Sequence, residues 1–395
     1  MTREAVIVAA SRTAVGKAKR GMARSLRADE MAAVVAQELL RQTDGKLDPM
    51  QIDDVILGCA MPEGSQGLNM ARAVALRAGL PVEVPGMTIN RFCSSGLQAI
   101  ALAAERILAN GADIILAGGA ESMSLVPPMT GFHFSPNPYL TRHMPEFYMA
   151  MGHTAERLAD EWQISREDMD EFAYQSHQKA AQAADAGYFK SEIVPIPIEE
   201  TVIGPDHRPQ QRQVIFAEDE HLRRETTPAA LAKLKPVFRE GGRVTAGNSS
   251  PLSDGAAGVI VMEAGTAARL GLTPLARFVG FAVAGVRPEV MGIGPVAAVP
   301  RLLKRVGIAP ADIDLIELNE AFAVQALAVI RELELDPARV NVNGGAIALG
   351  HPLGGTGAKL TVQIIREMQR RRSRYGLVTM CVGGGQGAAG LFERV

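Results

Sequence analysis

Cysteine is scarce in this chain: Cys59, Cys93 and Cys381 are the only three among 395 residues. Their number is odd, the gaps are long and no CxxC occurs. That excludes a disulfide framework and a zinc ribbon and points to a reducing compartment. Aromatics are few, at 5%, with a single Trp. Neither sign of charge dominates: 41 Lys and Arg stand against 43 Asp and Glu, a net of −2. Bulk attraction to nucleic acid or to an anionic membrane is not expected. No apolar run reaches the ~18 residues of a membrane span. The apolar run at residues 5–10 is too short for a secretory signal, and basic residues follow it rather than precede it. The reading is a cytoplasmic protein without a membrane span. Nor does any His/Cys/Asp/Glu spacing suit a metal.

What is present is an ordinary globular core, 47% hydrophobic, with glycine enriched to 40 residues. Short β-branched runs at 5–10, 55–59, 114–117, 259–262, 315–318 and 377–382 predict strands. Helical stretches at 28–42, 96–110, 296–306, 321–332 and 357–370 alternate with them. Such alternation predicts an α/β architecture with parallel pairing. Residues 119–249 differ from the rest. They hold 12 of the 18 aromatics and six of the seven histidines. They read as a loop-rich lobe inserted into a Gly/Ala-rich scaffold.

The scaffold itself reads as duplicated. Ile52-Asp53-Asp54-Val55-Ile56-Leu57-Gly58 resembles Ile313-Asp314-Leu315-Ile316-Glu317-Leu318. From Asp54 to Cys93 is 39 residues, and from Asp314 to His351 is 37. Cys93 and His351 each precede a helix that leads to an apolar strand and a double glycine. Two βα repeats with reactive groups at equivalent points are expected.

Four segments carry chemistry. Asn90-Arg91-Phe92-Cys93-Ser94-Ser95-Gly96 makes a tight strand-to-helix turn. A Cys there is either a small buried packing residue or a thiol that the helix start biases toward thiolate. Around His351, six glycines fall in residues 343–357, and His351 is the segment's one titratable group, suited to general base work. Cys381 ends an apolar run and meets Gly383-Gly384-Gly385. Gly385-x-Gly387-x-x-Gly390 formally matches a dinucleotide fingerprint. Only five residues follow it, so no phosphate-facing helix can form and that reading is rejected. Asn319, in Asn319-Glu320-Ala321-Phe322, is either a helix N-cap or an amide aimed at a developing oxyanion.

Together these four motifs, in this order, resemble those of the thiolase family, and the resemblance covers the whole chain. It implies a thiolase-like α/β fold: two similar packed βα core domains, residues 1–118 with 250–270 and residues 271–395, and an inserted loop domain, residues 119–249. It implies thiolytic cleavage of 3-ketoacyl-CoA in fatty acid β-oxidation, with acetoacetyl-CoA synthesis as the rival activity. A catalytically inactive acyl-CoA-binding protein is the rival of another class. Cys93 would be the nucleophile, His351 its activator and Cys381 the acid/base at the α-carbon. Asn319, through a water, and His351 would form one oxyanion site; the N–H groups of Cys93 and Gly383 would form the other. Coenzyme A would be a substrate, with no tightly bound cofactor. Its contacts would include Ser250 and Ala246 in a pantetheine turn, Leu234, Val237 and Phe238 along the groove, and Arg223 beside the adenine. Met151 and Phe322 would line the acyl side.

The family also implies a homodimer or homotetramer and allows a β-oxidation partner subunit. The basic stretch Arg12, Lys17, Lys19 and Arg20 is expected near a subunit or CoA surface. The histidines at 133, 143, 177, 207 and 221 are read as surface or structural, and Cys59 as core. Family members specialised for acetoacetyl-CoA carry His-Met-Gly where this chain has Ala150-Met151-Gly152. The smaller, apolar Ala150 predicts a roomier pocket and longer acyl chains.

Overall fold

The computed structural model describes residues 3–128, 134–203 and 207–395. The strands are β1 (Ala5–Arg12), β2 (Gly16–Lys17), β3 (Asp54–Gly58), β4 (Gly86–Ile89), β5 (Ile114–Ser122), β6 (Ile196–Ile203), β7 (Pro209–Phe216), β8 (Ser253–Glu263), β9 (Ala276–Gly285), β10 (Leu315–Leu318), β11 (Tyr375–Val382) and β12 (Gln386–Arg394). The helices are α1 (Ala28–Arg41), α2 (Met70–Arg77), α3 (Ser95–Leu108), α4 (Pro138–His143), α5 (Met151–Glu161), α6 (Arg166–Asp185), α7 (Pro228–Ala232), α8 (Ala264–Arg269), α9 (Gly294–Val306), α10 (Ala323–Glu332), α11 (Ala346–Leu349) and α12 (Leu353–Arg371). All six predicted strands and all five predicted helices are present.

The sheet runs β10-β11-β12-β9-β1-β8-β5-β3-β4, with β2 on β8. It consists of two like halves, joined where Val6 and Ile7 of β1 meet Arg277 and Ala276 of β9. In each half a parallel pair, β3–β5 or β10–β11, is followed by an antiparallel partner, β8 or β12. Strand residues alternate between two buried faces. Ile7, Ile56, Val259, Val261, Val378 and Met380 pack on α3 and α12. On the opposite face, Val6, Leu57, Ile260 and Met262 pack on α1 and α2, and Leu377 and Leu391 on α9 and α10. Helix and sheet therefore stack in five alternating layers, and strands buried on both faces read as continuous apolar runs.

The middle layer, α3 against α12, sets the site. A Cβ on Gly96 would lie 2.7 Å from the Ala358 nitrogen, and one on Gly357 would lie 2.3 Å from that of Leu97. Only glycine permits this approach, which brings the starts of the two helices together. Residues between β5 and β8 supply α4 to α7 and the β6–β7 ribbon; of these, α5 and α6 pack against α10, and α6 also against α11, which precedes His351.

One expectation fails here. Arg12 is not a surface residue: it is fully buried, paired with Glu192 and Asp219 at 2.8 Å each. Lys17, Lys19 and Arg20 are exposed. Among the described residues no helix is long and apolar enough to cross a membrane.

Candidate active site

Cys93 sits in a single 3-10 turn, Phe92–Ser94, immediately before α3. The Asn90 side chain holds the turn from below, accepting from the Phe92 N–H at 2.7 Å and donating to the Ala60 carbonyl at 3.0 Å. Ser95 Oγ accepts from the Arg91 N–H at 2.9 Å and donates to the Phe92 carbonyl at 2.7 Å. Phe92 is thereby held at φ 41°, a conformation costly for a bulky residue. Arg91 reaches across to Gln386 Oε1 on β12 at 2.9 Å, tying the turn to the second half. The Cys93 thiol is half-buried and receives the backbone N–H groups of Gly383 and of Cys93 itself. Burial outweighs those two donors and pushes its pKa up to about 11. The N–H groups at the helix start do favour thiolate, but desolvation acts on the whole charge and they recover only part of it.

His351 lies between α11 and α12. Its N–H donates to Ser253 Oγ at 3.0 Å, and its Nδ1 is 2.6 Å from Thr356 Oγ1. Thr356 in turn donates to the Pro352 carbonyl at 3.1 Å. The hydroxyl's proton is therefore spent, and Nδ1 is the donor to Thr356. Nε2 faces the Asn319 amide nitrogen at 3.4 Å, which fits an unprotonated acceptor. Burial, with a smaller contribution from the buried Lys359, holds the His351 pKa down at about 3. The imidazole is neutral, and its unprotonated nitrogen is Nε2.

Asn319 is fully buried after β10 and is no helix cap, because α10 begins at Ala323 with Phe322 at its N-cap. Its amide oxygen has no hydrogen-bond partner among the described residues. Cys381 is buried near the end of β11. Burial first, and Cys93 second, raise its pKa, so it too is a thiol. Cys93, Cys381 and Gly383 thus form one group and His351 and Asn319 a second, and the Asn319 N–H donates to the Thr379 carbonyl at 3.0 Å, two residues before Cys381.

The residues expected to hold CoA divide. The turn at 246–250 docks on the loop that carries Asn319: the Ser250 N–H donates to the Ala321 carbonyl at 3.0 Å, and Ala323 N–H to Asn248 O at 2.9 Å. Met151, Leu234, Phe238, Phe322 and Cys381 share one apolar cluster. The rings of Phe238 and Phe322 meet edge-on at 6.2 Å. Val237 and Ala246 are on the surface. Arg223 is also exposed, and its guanidinium has no ion-pair partner among the described residues. The neighbouring Arg224 is engaged by Asp185 at 2.7 Å. His143 and His207 are exposed, and His177 and His221 are buried with pKa values held down at about 4. His133 lies outside the described residues. Cys59 is core, its thiol 3.7 Å from the buried Glu121 carboxylate.

Sequence reasoning missed Thr356, Glu320 and Glu121. Glu320 accepts from Ser176 Oγ at 2.7 Å, Asn341 Nδ2 at 2.8 Å and Ile347 N–H at 3.2 Å, which clamps the Asn319 loop to α6 and to the glycine-rich segment. Glu121 accepts from the Ala60 and Gly354 N–H groups at 2.8 Å each, joining the first half to the start of α12. Both are acidic residues next to a strand end, a signal too common to single them out.

The model of the thiolase N-terminal domain matches residues 5–265, and that of the thiolase C-terminal domain matches residues 272–394. The chain belongs to the thiolase family. It is 56% identical to a 3-ketoacyl-CoA thiolase of Bacillus subtilis over 391 residues, 99% of each chain. It is 48% identical to an acetyl-CoA acetyltransferase of Pseudomonas aeruginosa, covering 98% of each. The solved Bacillus anthracis acetyl-CoA acetyltransferase superposes with a TM-score of 0.90 at 42% identity, over 100% of this chain and 99% of that one. The two like halves and the lobe over them are the thiolase fold, and the chain is an acyltransferase of that family.

Proposed function

We propose that this thiolase cleaves 3-ketoacyl-CoA with CoA to give acyl-CoA and acetyl-CoA, as in fatty acid β-oxidation, and that it runs through an acyl thioester on Cys93. The observation that supports this best is the Gly383 N–H on the Cys93 sulfur with the Cys381 thiol alongside. That arrangement brings a nucleophile, an oxyanion donor and a second proton carrier together from two chain segments, the turn before α3 and the end of β11.

The Cys93 sulfur attacks the 3-keto carbon as its proton passes to His351 Nε2. The developing oxyanion rests on the N–H groups of Cys93 and Gly383. Fixed donors of this kind are each worth about 10²–10³ in rate. The bond between C2 and C3 breaks, and its electron pair becomes the acetyl-CoA enolate. Asn319, through a water on its amide oxygen, and protonated His351 stabilise that enolate. Cys381 then gives its proton to C2 and acetyl-CoA leaves. The incoming CoA thiol gives its proton to the Cys381 thiolate and attacks the thioester. Cys93 departs and recovers its proton from His351. Every proton is returned, so the cycle also runs backwards as a Claisen condensation.

Ser250 and Ala246 would meet the pantetheine arm, Leu234, Val237 and Phe238 the groove, Arg223 the adenine end, and Met151 and Phe322 the acyl side. The domains divide at 118, 249 and 270. The enzyme works in the cytoplasm as a homodimer or homotetramer, with or without a β-oxidation partner subunit. Ala150, at the N-cap of α5 with no side-chain capping bond, favours the degradative reading over acetoacetyl-CoA synthesis, since no imidazole narrows the pocket there.

The test is Cys381→Ser. Mass spectrometry should still find acyl-enzyme on Cys93 from acyl-CoA. Deuterium wash-in at the acetyl-CoA methyl group should fall by at least 10²-fold. Equal loss of both activities would remove Cys381 from the α-carbon step.

A further inference from the structure

The thiolase chemistry above uses one of the twelve aromatic residues in 119–249, Phe238. Three others stand together beside the catalytic turn. The rings of Phe147 and Tyr148 meet edge-on, centroids 5.0 Å apart at 81°. Tyr148 meets Phe134 in the same manner at 5.7 Å and 62°. The Tyr148 hydroxyl accepts the Asn137 N–H at 2.8 Å, which fixes the middle ring.

The inner end of this group lies on the oxyanion turn. A Cβ on Gly384 would sit 3.0 Å from Phe147 Cε2. One on Gly383, whose N–H reaches Cys93, would face Met151 Sδ at 3.6 Å and the Phe92 ring at 3.8 Å. At the outer end Phe134 is 49% exposed. Among the described residues, the three rings therefore run from the nucleophile's turn to a half-exposed outer ring.

We propose that Phe147, Tyr148 and Phe134 are the platform on which the acyl tail of the substrate lies, and that they select an uncharged, apolar tail of medium length. The proposal rests on the thiolase reading above and names its substrate class. An alkyl chain leaving the Cys93 thioester past Gly383 and Gly384 meets Phe147 first and gains apolar contact ring by ring. The only polar group of the three, the Tyr148 hydroxyl, already accepts the Asn137 N–H and has at most one neutral O–H left to give. A tail that ends in carboxylate would be desolvated against the rings with no cation among them to pair with, which costs more than the contact returns. Because Phe134 opens to solvent, tails that pass it add nothing further: specificity rises with length and then levels off.

The test is kcat/KM in thiolysis for acetoacetyl-, 3-ketohexanoyl-, 3-ketooctanoyl-, 3-ketodecanoyl- and 3-ketoadipyl-CoA, each expressed as a ratio to acetoacetyl-CoA. The unmodified enzyme should prefer 3-ketohexanoyl-CoA to 3-ketoadipyl-CoA, its equal in carbon number, by tenfold or more. Phe147→Ala should lower the octanoyl ratio by about tenfold, the equivalent of roughly two buried methylenes, mostly through KM. Phe147→Leu, which keeps an apolar side chain in place, should lose less. Phe134→Ala, at the half-exposed outer edge, should lower the decanoyl ratio more than the hexanoyl ratio. Unchanged or rising ratios in these variants, or a preference for the carboxylate-terminated substrate, would overturn the platform. Failure of the thiolase reading looks different: no substrate is cleaved in a CoA-dependent way and no acyl group is found on Cys93.

Discussion

At neutral pH neither Cys93 nor His351 carries charge, because the fold desolvates both. A resting thiolate–imidazolium pair would need His351 to hold a proton far above its folded pKa of about 3. The nucleophile is therefore made during attack, as the proton moves to Nε2, and substrate binding sets the moment. Alkylation reports this directly. With a thiol pKa near 11, the rate of Cys93 modification by iodoacetamide should climb about tenfold per pH unit from pH 7 to 9 without levelling. Prior loading with acyl-CoA should protect the residue, and the buried Cys59 should stay unlabelled. A plateau below pH 8 would show a preformed thiolate. The residues of this site were only partly legible in the sequence. Cys93, His351 and Cys381 stand out because each is a reactive side chain in a turn made of small residues. The sign of the Cys93 shift did not, since a helix start is visible in sequence and burial is not. Glu320 was invisible because its meaning lies in contacts such as Ser176, 144 positions away.

Elements carry the site through the abutment of α3 and α12, whose first turns follow Cys93 and His351. The spacing that puts both reactive residues before equivalent helices was readable; that the two helices touch was not. Gly357 decides the contact. An added Cβ would press on the backbone nitrogen of Leu97, which cannot rotate away as a side chain tip could. Gly357→Ala should destabilise by about 1–3 kcal/mol and separate the helix starts, lowering both the melting temperature and kcat. Gly111→Ala is the control: its Cβ meets only the Arg106 carbonyl, at 3.4 Å, and the melt should be unchanged. Equal melts for both variants would mean that the middle layer has slack. Strands β9 and β12 escaped sequence reading for a related reason. In β12, Gly387, Ala388, Ala389 and Gly390 have little intrinsic strand preference, but pairing with β11 on one side and β9 on the other imposes it. Helix α6 was hidden in the lobe by a polar surface, and its buried stripe of Met169, Ala173, His177 and Ala180 becomes plain only against its neighbours.

For the whole molecule, the two ends of the sheet differ. Beyond β10 the edge is covered: Ile316 N–H donates to Arg339 O, and Asn341 N–H to Ile316 O, both at 2.9 Å. Beyond β4 no further strand follows among the described residues. Around that edge Leu68 is fully exposed, and Met87 and Leu76 are exposed as well. Soluble proteins rarely leave an apolar strand edge open, because its unpaired N–H and carbonyl groups invite another strand. A second copy meeting β4 across a two-fold axis would satisfy both copies at once and bring each Leu68 and Met87 under cover. Light scattering at micromolar concentration should therefore give at least twice the mass of one chain. The double variant Leu68→Asp with Met87→Lys places four buried charges in such an interface, two from each copy, and should shift the mass toward that of the monomer. Because α3 and α12 lie on the inner face of the sheet, away from this edge, far-ultraviolet circular dichroism should be retained. A monomeric mass for the unmodified protein would refute the dimer; a variant that keeps the full mass would move the interface away from β4.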